Sequence, residues 1–240
     1  MSIKLYSAWY CPFAQRAWMA LLLKQVDFEY IEVDPYQESD WWQKISRGHN
    51  LVPVLVTRDD DSTKEATIVD SSRVLEYLDE CYSDILPFLP DNLEQRAEAR
   101  YWMDHINQAI VPYLYRFLEA QEPGDYRDES RVALTAGVKT LFEANAYAHP
   151  YLGGERPGLL DLSLIPFAYR IDALLGHYRG FALPAEGEVW QRYQAWYDLM
   201  SVHPVFIGSK THGEDYSQRL IEHYLPYSLG EGQKDVTNLD

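Results

Sequence analysis

The spacing of hydrophobic and polar positions changes partway along this chain. Residues 1–83 alternate between short runs with the two-residue period of strands and longer runs with the period of helices. The pattern predicts strands at 3–7, 28–33, 51–56 and 67–69. It predicts helices at 12–24, from a Ser39 cap to about 47, and from an Asp70 or Ser71 cap through 74–82. The predicted order is therefore βαβαββα, and the last two strands, joined by a polar loop at 58–62, should pair antiparallel.

Beyond residue 87 the helical period continues almost to the end of the chain, broken by glycine and proline. Helices are predicted within 102–118, 128–147, 160–175 and 188–202, and the third of them is apolar enough to be central and buried. We therefore predict an α/β domain at 1–83, a linker at 84–90, an all-helical domain at 91–229 and a flexible tail at 230–240.

The composition narrows the class of protein. The 240 residues are 47% hydrophobic, which is enough to bury a large core in one or two domains. A net charge of -16 argues against binding to nucleic acid or to anionic lipid. The apolar stretch at 17–23 is far shorter than the ~20 residues needed to span a bilayer. Two cysteines and the absence of an evident signal segment indicate a reduced, cytoplasmic protein.

Cys11 is the residue that most directly suggests chemistry, because it lies between a predicted strand and a predicted helix. Pro12 suits the first helical position, so Cys11 falls at the N-cap, where unpaired amides and the helix dipole favour a thiolate. Arg16, about one turn further on, either adds positive charge there or is a solvated surface residue. Ala14 stands in place of the second cysteine of a CxxC pair, which excludes internal disulfide cycling.

Other candidate reactive groups have weaker claims than Cys11. Cys81 lies at helical spacing from apolar neighbours, so we expect it in the core as a small hydrophobe. Tyr6, Ser7 and Tyr10 carry hydroxyls near Cys11 in the sequence, but a thiolate is the stronger nucleophile, and Tyr6 fits a strand position. The seven histidines are scattered without a metal-binding motif, so no metal is expected.

Several motifs occur together in a recognisable order. The sequence Cys-Pro-Phe-Ala-Gln-Arg opens a helix, Val52-Pro53 precedes a strand, Asp70-Ser71 opens another helix, and an all-helical half follows. In this combination the chain resembles the cytosolic glutathione transferases over essentially its whole length. The first motif is most similar to the cysteine-type members, the omega and lambda classes. The resemblance implies a thioredoxin-like N-terminal domain, an all-helical C-terminal domain and a homodimer.

The resemblance also implies a glutathione site. Val52 would give its backbone N–H and C=O to the cysteinyl part of glutathione, and a cis Pro53 would turn that edge toward the ligand. Ser71 would bind the γ-glutamyl carboxylate at the helix start, and Asp70, one methylene shorter than the glutamate common in the family, would receive the ammonium. The alternative is that Asp70 and Ser71 only cap their helix.

Three further residues complete the implied glutathione site. Pro12 and Phe13 are placed in it by the resemblance, directly beside Cys11. The lysine that the family uses to hold the glycyl end has no evident match in this chain. Arg47 and His49 are therefore the candidates for that role.

A second substrate would need a pocket facing Cys11. The candidates for lining it are Trp102, His105, Tyr113 and Trp190, with Tyr115, Tyr169 and Trp196 as further aromatic residues of the helical half. For each of them, packing in the core is the alternative, and for His105 a hydrogen-bonded core position competes with a role as general base. Such a pocket would suit a small hydrophobic or aromatic compound that carries glutathione.

The sequence therefore favours a glutathione-dependent thiol transferase of the omega-like type. Cys11 would attack a glutathionylated substrate, release the reduced product and remain as a mixed disulfide that a second glutathione clears. Dehydroascorbate reduction and deglutathionylation of small aromatic ketones or quinones are implied by the resemblance. Two alternatives stay open: conjugation of glutathione to an electrophile, and a non-enzymatic binding or regulatory protein with the same fold.

Overall fold

The computed structural model of the chain describes residues 2–37, 39–59, 64–145, 149–211 and 213–232. Parts of three predicted features lie outside the described residues: 60–62 of the loop 58–62, 146–147 of the helix 128–147, and 233–240 of the tail 230–240. Within the described ranges, no helix combines the length and the apolar character needed to cross a membrane.

Two compact units make up the chain. The first consists of Met1–Phe88 together with Pro204–Thr211, and the second of Leu89–His203 together with His212–Asp240. The boundary after Phe88 falls within the predicted linker 84–90. The segment Pro204–Thr211 departs from the predicted limits. Its helical sequence pattern placed it in the domain 91–229, but it packs with the helix Pro12–Leu23 of the first unit.

The first unit has the predicted order βαβαββα. Its elements are β1 (Ser2–Ser7), α1 (Pro12–Leu23), β2 (Glu29–Glu32), α2 (Asp40–Ile45), β3 (Val54–Arg58), β4 (Glu65–Val69) and α3 (Ser71–Cys81). The strands form one sheet in the order β2-β1-β3-β4. β1 pairs parallel with β2, whereas β3 pairs antiparallel with both β1 and β4. The predicted antiparallel pair is confirmed, and the arrangement is the predicted thioredoxin-like fold.

Apolar residues at the centre of this sheet form the core of the first unit. Leu5 of β1 lies opposite Tyr30 of β2 and Leu55 of β3, and both leucines are fully buried. Helices α1 and α3 pack against each other and against the sheet. Local signals set the helix starts: Pro12 is the first residue of α1, and Ser39 caps α2 by accepting a hydrogen bond from the Trp42 amide at 3.4 Å.

In the described residues after α3, the remaining secondary-structure elements are helices and helical turns. The helices are α4 (Leu93–His105), α5 (Val111–Glu119), α6 (Asp125–Ala144), α7 (Leu159–Arg170), α8 (Gly176–Arg179), α9 (Glu188–Ser201), α10 (Pro204–Gly208), α11 (Tyr216–His223) and α12 (Leu225–Ser228). A π-helical turn, Ile106–Ile110, joins α4 to α5, and a second, Ile171–Leu175, joins α7 to α8. A short 3-10 turn, Gly213–Asp215, precedes α11.

Helix α7 is the centre of the second unit, as its apolar sequence predicts. All of its residues except Tyr169 are buried, and α4 and α9 pack against it. Nearby, α6 approaches the first π-helical turn so closely that a Cβ on Gly137 would lie 2.4 Å from the Ala109 carbonyl oxygen. A glycine is therefore required at this contact.

Helix α10 belongs to the first unit because it packs along α1. The contact is close: a Cβ on Gly208 would lie 3.1 Å from the Leu22 Cδ1 atom. The helix that begins beside Cys11 is thus covered by a segment that lies near the other end of the sequence.

Candidate functional site

Cys11 lies where the sequence predicts it, at the N-cap of α1. Its backbone is extended, with φ −78° and ψ 117°, and Pro12 begins the helix. The Cys11 amide donates to the Ala8 carbonyl oxygen at 2.9 Å, and the Gln15 amide donates to the Cys11 carbonyl oxygen at 3.0 Å. These two bonds hold the backbone of Cys11 between the strand end and the first helical turn.

The sulfur of Cys11 is oriented differently from the expectation that it faces the helix amides. Its side chain makes no capping hydrogen bond to α1, and the half-buried Sγ lies 3.8 Å from the Val52 carbonyl oxygen. A thiol donates to a carbonyl and a thiolate has no proton to donate, so this contact belongs to the protonated form. Ionisation of Cys11 therefore removes this hydrogen bond to Val52.

Val52 brings a second chain segment to Cys11. The Val52–Pro53 peptide is cis, as the resemblance implies, and it directly precedes β3. Val52 is buried in an apolar cluster, and Cys11 packs against that cluster as a partly buried neighbour. The starts of α1 and β3 therefore meet, and they place a thiol beside the backbone of Val52.

Asp70 is the N-cap of α3, as one of the two sequence interpretations holds. Its Oδ1 atom accepts hydrogen bonds from the Ser72 amide at 2.9 Å and the Arg73 amide at 3.0 Å, and its backbone φ is +74°. The side chain is exposed, and among the described residues Oδ2 has no hydrogen-bond donor. Capping therefore leaves one carboxylate oxygen open to a ligand.

Ser71 is the first residue of α3 and is buried, at 3% exposure. Its Oγ atom accepts a hydrogen bond from Arg16 Nη1 at 3.2 Å. Arg16 is fully buried, and its guanidinium lies 5.2 Å from the centre of the Phe13 ring. The interpretation of Arg16 as a solvated surface residue is therefore wrong.

The Arg16–Ser71 contact was not predicted. Arg16 lies in a helix whose other buried residues are mostly alanine, methionine and leucine, and spacing alone does not identify the partner of a buried arginine. The contact joins the N-terminal ends of α1 and α3 through a cation, and helix N-termini favour anions. An anion that binds at Ser71 would therefore meet a hydroxyl, a helix start and a nearby guanidinium.

The remaining predicted glutathione residues differ in exposure. Pro12 is buried and Phe13 is half-buried at the start of α1. Arg47 and His49 are exposed in the segment between α2 and β3, and the backbone of Arg47 has φ +54°. Within the described residues, neither of these two side chains has a hydrogen-bond or ion-pair partner, so the structure does not favour one over the other.

A polar contact that the sequence did not suggest supports the loop before Cys11. Glu32 of β2 accepts a hydrogen bond from the Trp9 amide at 3.0 Å and another from the Tyr30 hydroxyl. Burial, with the Glu32 hydrogen bond and the nearby Cys11 charge adding to it, raises the pKa of Tyr30. Tyr30 also packs on Trp18 of α1, with ring centroids 4.4 Å apart.

The competing hydroxyls are placed by the fold. Tyr6 is a buried residue of β1, as expected, and Ser7 at the end of that strand is almost fully buried. Tyr10 is half-buried and its ring lies edge-on to Trp9 at 5.8 Å. Of the candidate nucleophiles, Cys11 has both partial exposure and a helix start.

The prediction that Cys81 lies in the core is wrong, because its side chain is exposed. Val74, Leu75 and Leu78 are fully buried, so the helical period is correct as far as Leu78. Helix α3 ends at Cys81, and within this last turn Asp79 is buried whereas Cys81 is not. The Cys81 side chain instead lies near Tyr77, whose pKa is raised by burial and by its interactions with Cys81.

The residues predicted to line a second-substrate pocket all have packing contacts within the second unit. His105 Nε2 lies 2.8 Å from the Gly137 carbonyl oxygen, and its ring lies edge-on to Trp102 at 5.3 Å. The ring of Tyr113 lies 5.6 Å from the Arg116 guanidinium, and Trp190 is buried. His105 is therefore a hydrogen-bonded packing residue, as the alternative interpretation holds.

The second unit also contains a buried polar cluster that the sequence did not indicate. Arg170 of α7 is fully buried; it donates to the Pro166 carbonyl oxygen at 2.7 Å and to the Tyr216 hydroxyl at 3.3 Å. The Tyr115 and Tyr224 hydroxyls lie 3.3 Å apart. Within the described ranges, no three His, Cys, Asp or Glu side chains come together as metal ligands would.

Comparison with known proteins agrees with this geometry. The family description "Glutathione S-transferase, N-terminal domain" matches residues 5–85. Glutathione S-transferase U1 of Arabidopsis thaliana is 32% identical over 169 residues, which cover 69% of this chain and 71% of that protein.

Solved structures of two classes share the fold. A tau-class glutathione S-transferase from mango, Mangifera indica, has a TM-score of 0.78 at 22% identity and covers 92% of this chain and 96% of its own. Glutathione transferase Omega 3C from Trametes versicolor has a TM-score of 0.76 at 27% identity, covering 93% and 91%. The comparisons therefore reach both tau-class and omega-class proteins and do not single out the omega and lambda classes. The match to Glutathione S-transferase U1, at 32% identity over 69% of this chain and 71% of that protein, is sufficient for one conclusion: the chain belongs to the glutathione S-transferase family.

Proposed function

We propose that this chain is a glutathione-dependent thiol transferase in which Cys11 is the nucleophile. The observation that carries the proposal is the position of Cys11 at the N-cap of α1, with its sulfur 3.8 Å from the carbonyl oxygen of Val52 beside the cis Pro53. Helix N-termini stabilise thiolates, and a backbone edge beside the sulfur suits the peptide part of glutathione. The likeness to an omega-class structure at 27% identity supports the same class of activity.

In the proposed reaction, the Cys11 thiolate attacks the glutathionyl sulfur of a glutathionylated substrate. A disulfide forms between Cys11 and glutathione, and the bond between that sulfur and the substrate breaks. The electron pair leaves with the substrate, which takes up a proton. The thiolate of a second glutathione then attacks the mixed disulfide, forms oxidised glutathione and returns Cys11 as a thiolate.

We assign each polar end of glutathione to a residue of the first unit. In this proposal the backbone of Val52 pairs with the cysteinyl part, and the open Oδ2 of Asp70 receives the ammonium. The γ-glutamyl carboxylate accepts from the Ser71 hydroxyl, whose oxygen is already engaged by the buried Arg16. Pro12 and Phe13 border the sulfur, and Arg47 or His49 meets the glycyl carboxylate.

Conjugation of glutathione to an electrophile is the second candidate function. The observation that favours it is the tau-class character of the mango structure that shares the fold. In conjugation the sulfur of glutathione is itself the nucleophile, and Cys11 is dispensable for the chemistry. A non-enzymatic binding role is the third candidate and would also make Cys11 dispensable.

The proposal extends to partners and location. We infer a small hydrophobic or aromatic second substrate, a homodimer as in the family, and a cytoplasmic location. The formal charge of -16 disfavours nucleic acid and anionic membrane as partners.

Treatment with oxidised glutathione followed by intact-mass measurement and peptide mapping tests the function. We expect one glutathionyl group on Cys11. In Cys11→Ser both this adduct and thiol-transfer turnover should be lost. In Cys81→Ser, the matched control, turnover should be normal. Turnover that survives in Cys11→Ser would reject the thiol-transfer mechanism. Retention of conjugation alone in that variant would favour the second candidate.

A further inference from the structure

A buried polar contact connects the helix of Cys11 to the segment Pro204–Thr211. Gln15 Nε2 donates to Ser209 Oγ at 3.0 Å, although the two residues are 194 positions apart in the sequence. Gln15 is 3% exposed and Ser209 is 1% exposed. Because buried polar groups are costly when they lose their partners, this bond constrains both elements.

The direction of this hydrogen bond is set by Ser209. Its hydroxyl has one proton, which is donated to the Phe206 carbonyl oxygen at 2.8 Å. The oxygen of Ser209 is therefore left to accept, and the amide nitrogen of Gln15 is the group that donates to it. Both partners have a fixed orientation, so Ser209 holds the Gln15 side chain in one place.

Gln15 connects Ser209 directly to Cys11, because it bonds to Ser209 through its side chain and to Cys11 through its backbone. Its backbone amide donates to the Cys11 carbonyl oxygen at 3.0 Å, which is the first hydrogen bond of α1. The next residue, Arg16, is bonded to Ser71 of α3. The first turn of α1 is therefore held at Gln15 by Ser209, the residue that follows α10, and at Arg16 by Ser71 of α3.

We propose that Ser209 is a positioning residue that acts through Gln15. It keeps the amides of the first turn of α1 correctly placed relative to the sulfur of Cys11. In the thiol form the Cys11 side chain makes no hydrogen bond to the amides of this turn, because its proton is directed to the Val52 carbonyl oxygen. Once that proton is lost these amides stabilise the thiolate, and small displacements of oriented donors weaken such stabilisation steeply. The proposal rests on Cys11 being the nucleophile. The reactivity of Cys11, near the start of the chain, would then depend on Ser209, which lies near the other end.

The rate of Cys11 alkylation by iodoacetamide, measured as a function of pH, tests the proposal directly. A Cys81→Ser background leaves Cys11 as the single thiol. We expect Ser209→Ala to move the midpoint of the profile upward by about half a pH unit or more and to slow alkylation near pH 6 about threefold. Ser209→Thr retains the hydroxyl and should restore the parent profile. All variants retain the ionisable groups near this end of α1, which are Arg16, Tyr30, Glu32 and Tyr10, and also Lys210 beside Ser209.

Ser228→Ala is the matched control for the loss of a buried serine. Ser228 is 3% exposed and donates to the Leu225 carbonyl oxygen three residues earlier at 2.7 Å, as Ser209 does to Phe206, but it lies in the second unit. We expect Ser228→Ala to leave the alkylation profile unchanged. An unchanged profile in Ser209→Ala, or an equal shift in Ser228→Ala, would overturn the proposal.

A second variant covers the case in which Ser209→Ala does not fold. Gln15→Met removes the donor while it keeps the length of the side chain, and it should shift the profile in the same direction. If all the variants fold, combining Gln15→Met with Ser209→Ala should add no further shift, because both remove the same bond. A parent profile in a folded Gln15→Met protein would also reject the proposal. Alkylation needs no glutathione, so failure of the thiol-transferase proposal would be seen separately, in the turnover of Cys11→Ser.

Discussion

Lys24 Nζ lies 2.9 Å from Asp79 Oδ1 in an ion pair that is shielded from solvent, with side-chain exposures of 0% and 6%. The same ammonium donates to the carbonyl oxygens of Tyr82 at 2.9 Å and Leu86 at 3.2 Å. Asp79 Oδ1 also accepts from the Phe88 amide at 2.6 Å. One buried pair therefore joins the end of α1 to the end of α3 and to the segment that leaves the first unit.

We expect Lys24→Met to destabilise the protein by about 3–5 kcal/mol, because it leaves a buried carboxylate without its cation. Urea unfolding of the variant and the parent measures this difference. Lys139→Met is the matched control, since Lys139 pairs with Glu143 at 3.5 Å on an exposed helix surface, where such a pair contributes about 0.3–0.5 kcal/mol. Equal losses in the two variants would contradict the role assigned to burial.

Ser71→Ala should weaken glutathione binding by ~1–3 kcal/mol, because the proposed site loses a hydroxyl that meets a carboxylate at a buried helix start. Titration calorimetry with glutathione measures the effect. Ser72→Ala is the control, since Ser72 is the adjacent buried serine and contributes its backbone amide, not its hydroxyl, to the Asp70 cap. Unchanged affinity in Ser71→Ala would reject the proposed γ-glutamyl site.

Asp161→Asn should cost about 2–5 kcal/mol of stability, since about 1–3 kcal/mol is lost for each buried donor left without an acceptor. Asp161 Oδ1 accepts from the Leu152 amide at 2.8 Å and from Trp196 Nε1 at 2.7 Å, and Oδ2 accepts from the Gly153 and Gly158 amides at 2.8 Å. Whichever way an asparagine is turned, its NH₂ group faces two N–H donors.

Asp172→Asn is the matched control for this change, and urea unfolding measures both variants. Asp172 is exposed, and its Oδ2 atom accepts a hydrogen bond from the Tyr197 hydroxyl at 3.2 Å. We expect the control to change stability by less than about 1 kcal/mol. Similar losses of unfolding free energy in both variants would show that the four donors around Asp161 do not account for its contribution to stability.

Burial lowers the pKa of the His203 imidazole. The unfolded chain therefore binds a proton at this ring at a higher pH than the folded protein does, so acidification below about pH 6.5 should favour unfolding. His203→Gln should reduce the loss of unfolding free energy between neutral and mildly acidic pH. Denaturant melts across this range measure the effect, and above about pH 8 the variant and the parent should have the same pH slope. Parallel curves over the whole range would contradict a contribution from His203.

Most of the first unit was predictable because its signals are local. Pro12 at a first helical position, Ser39 at a cap and Asp70 before a helix each act within a few residues, and all three occupy those positions in the fold. The alternation of apolar residues predicted the strand order along the chain for the same reason. The candidate nucleophile and its helix start therefore follow from sequence.

The errors concern residues whose environment is set by distant parts of the chain. Cys81 continues a buried stripe in sequence, yet it is exposed, whereas Asp79 in the same last turn of the helix is buried. Arginine is usually exposed, yet Arg16 is buried against Ser71, 55 positions away in the sequence. Periodicity describes which side of a helix a residue occupies, but it does not say what covers that side.

By itself, the sequence determined the order of elements, the helix starts and the presence of a thiol at one of them, because backbone preferences and capping act over a few residues. Only the tertiary structure decided what surrounds that thiol. The contact of Cys11 with Val52 and the bond of Gln15 to Ser209 join positions 41 and 194 residues apart. Such contacts depend on how the whole chain packs, because a buried polar group takes its partner from whichever element is folded against it.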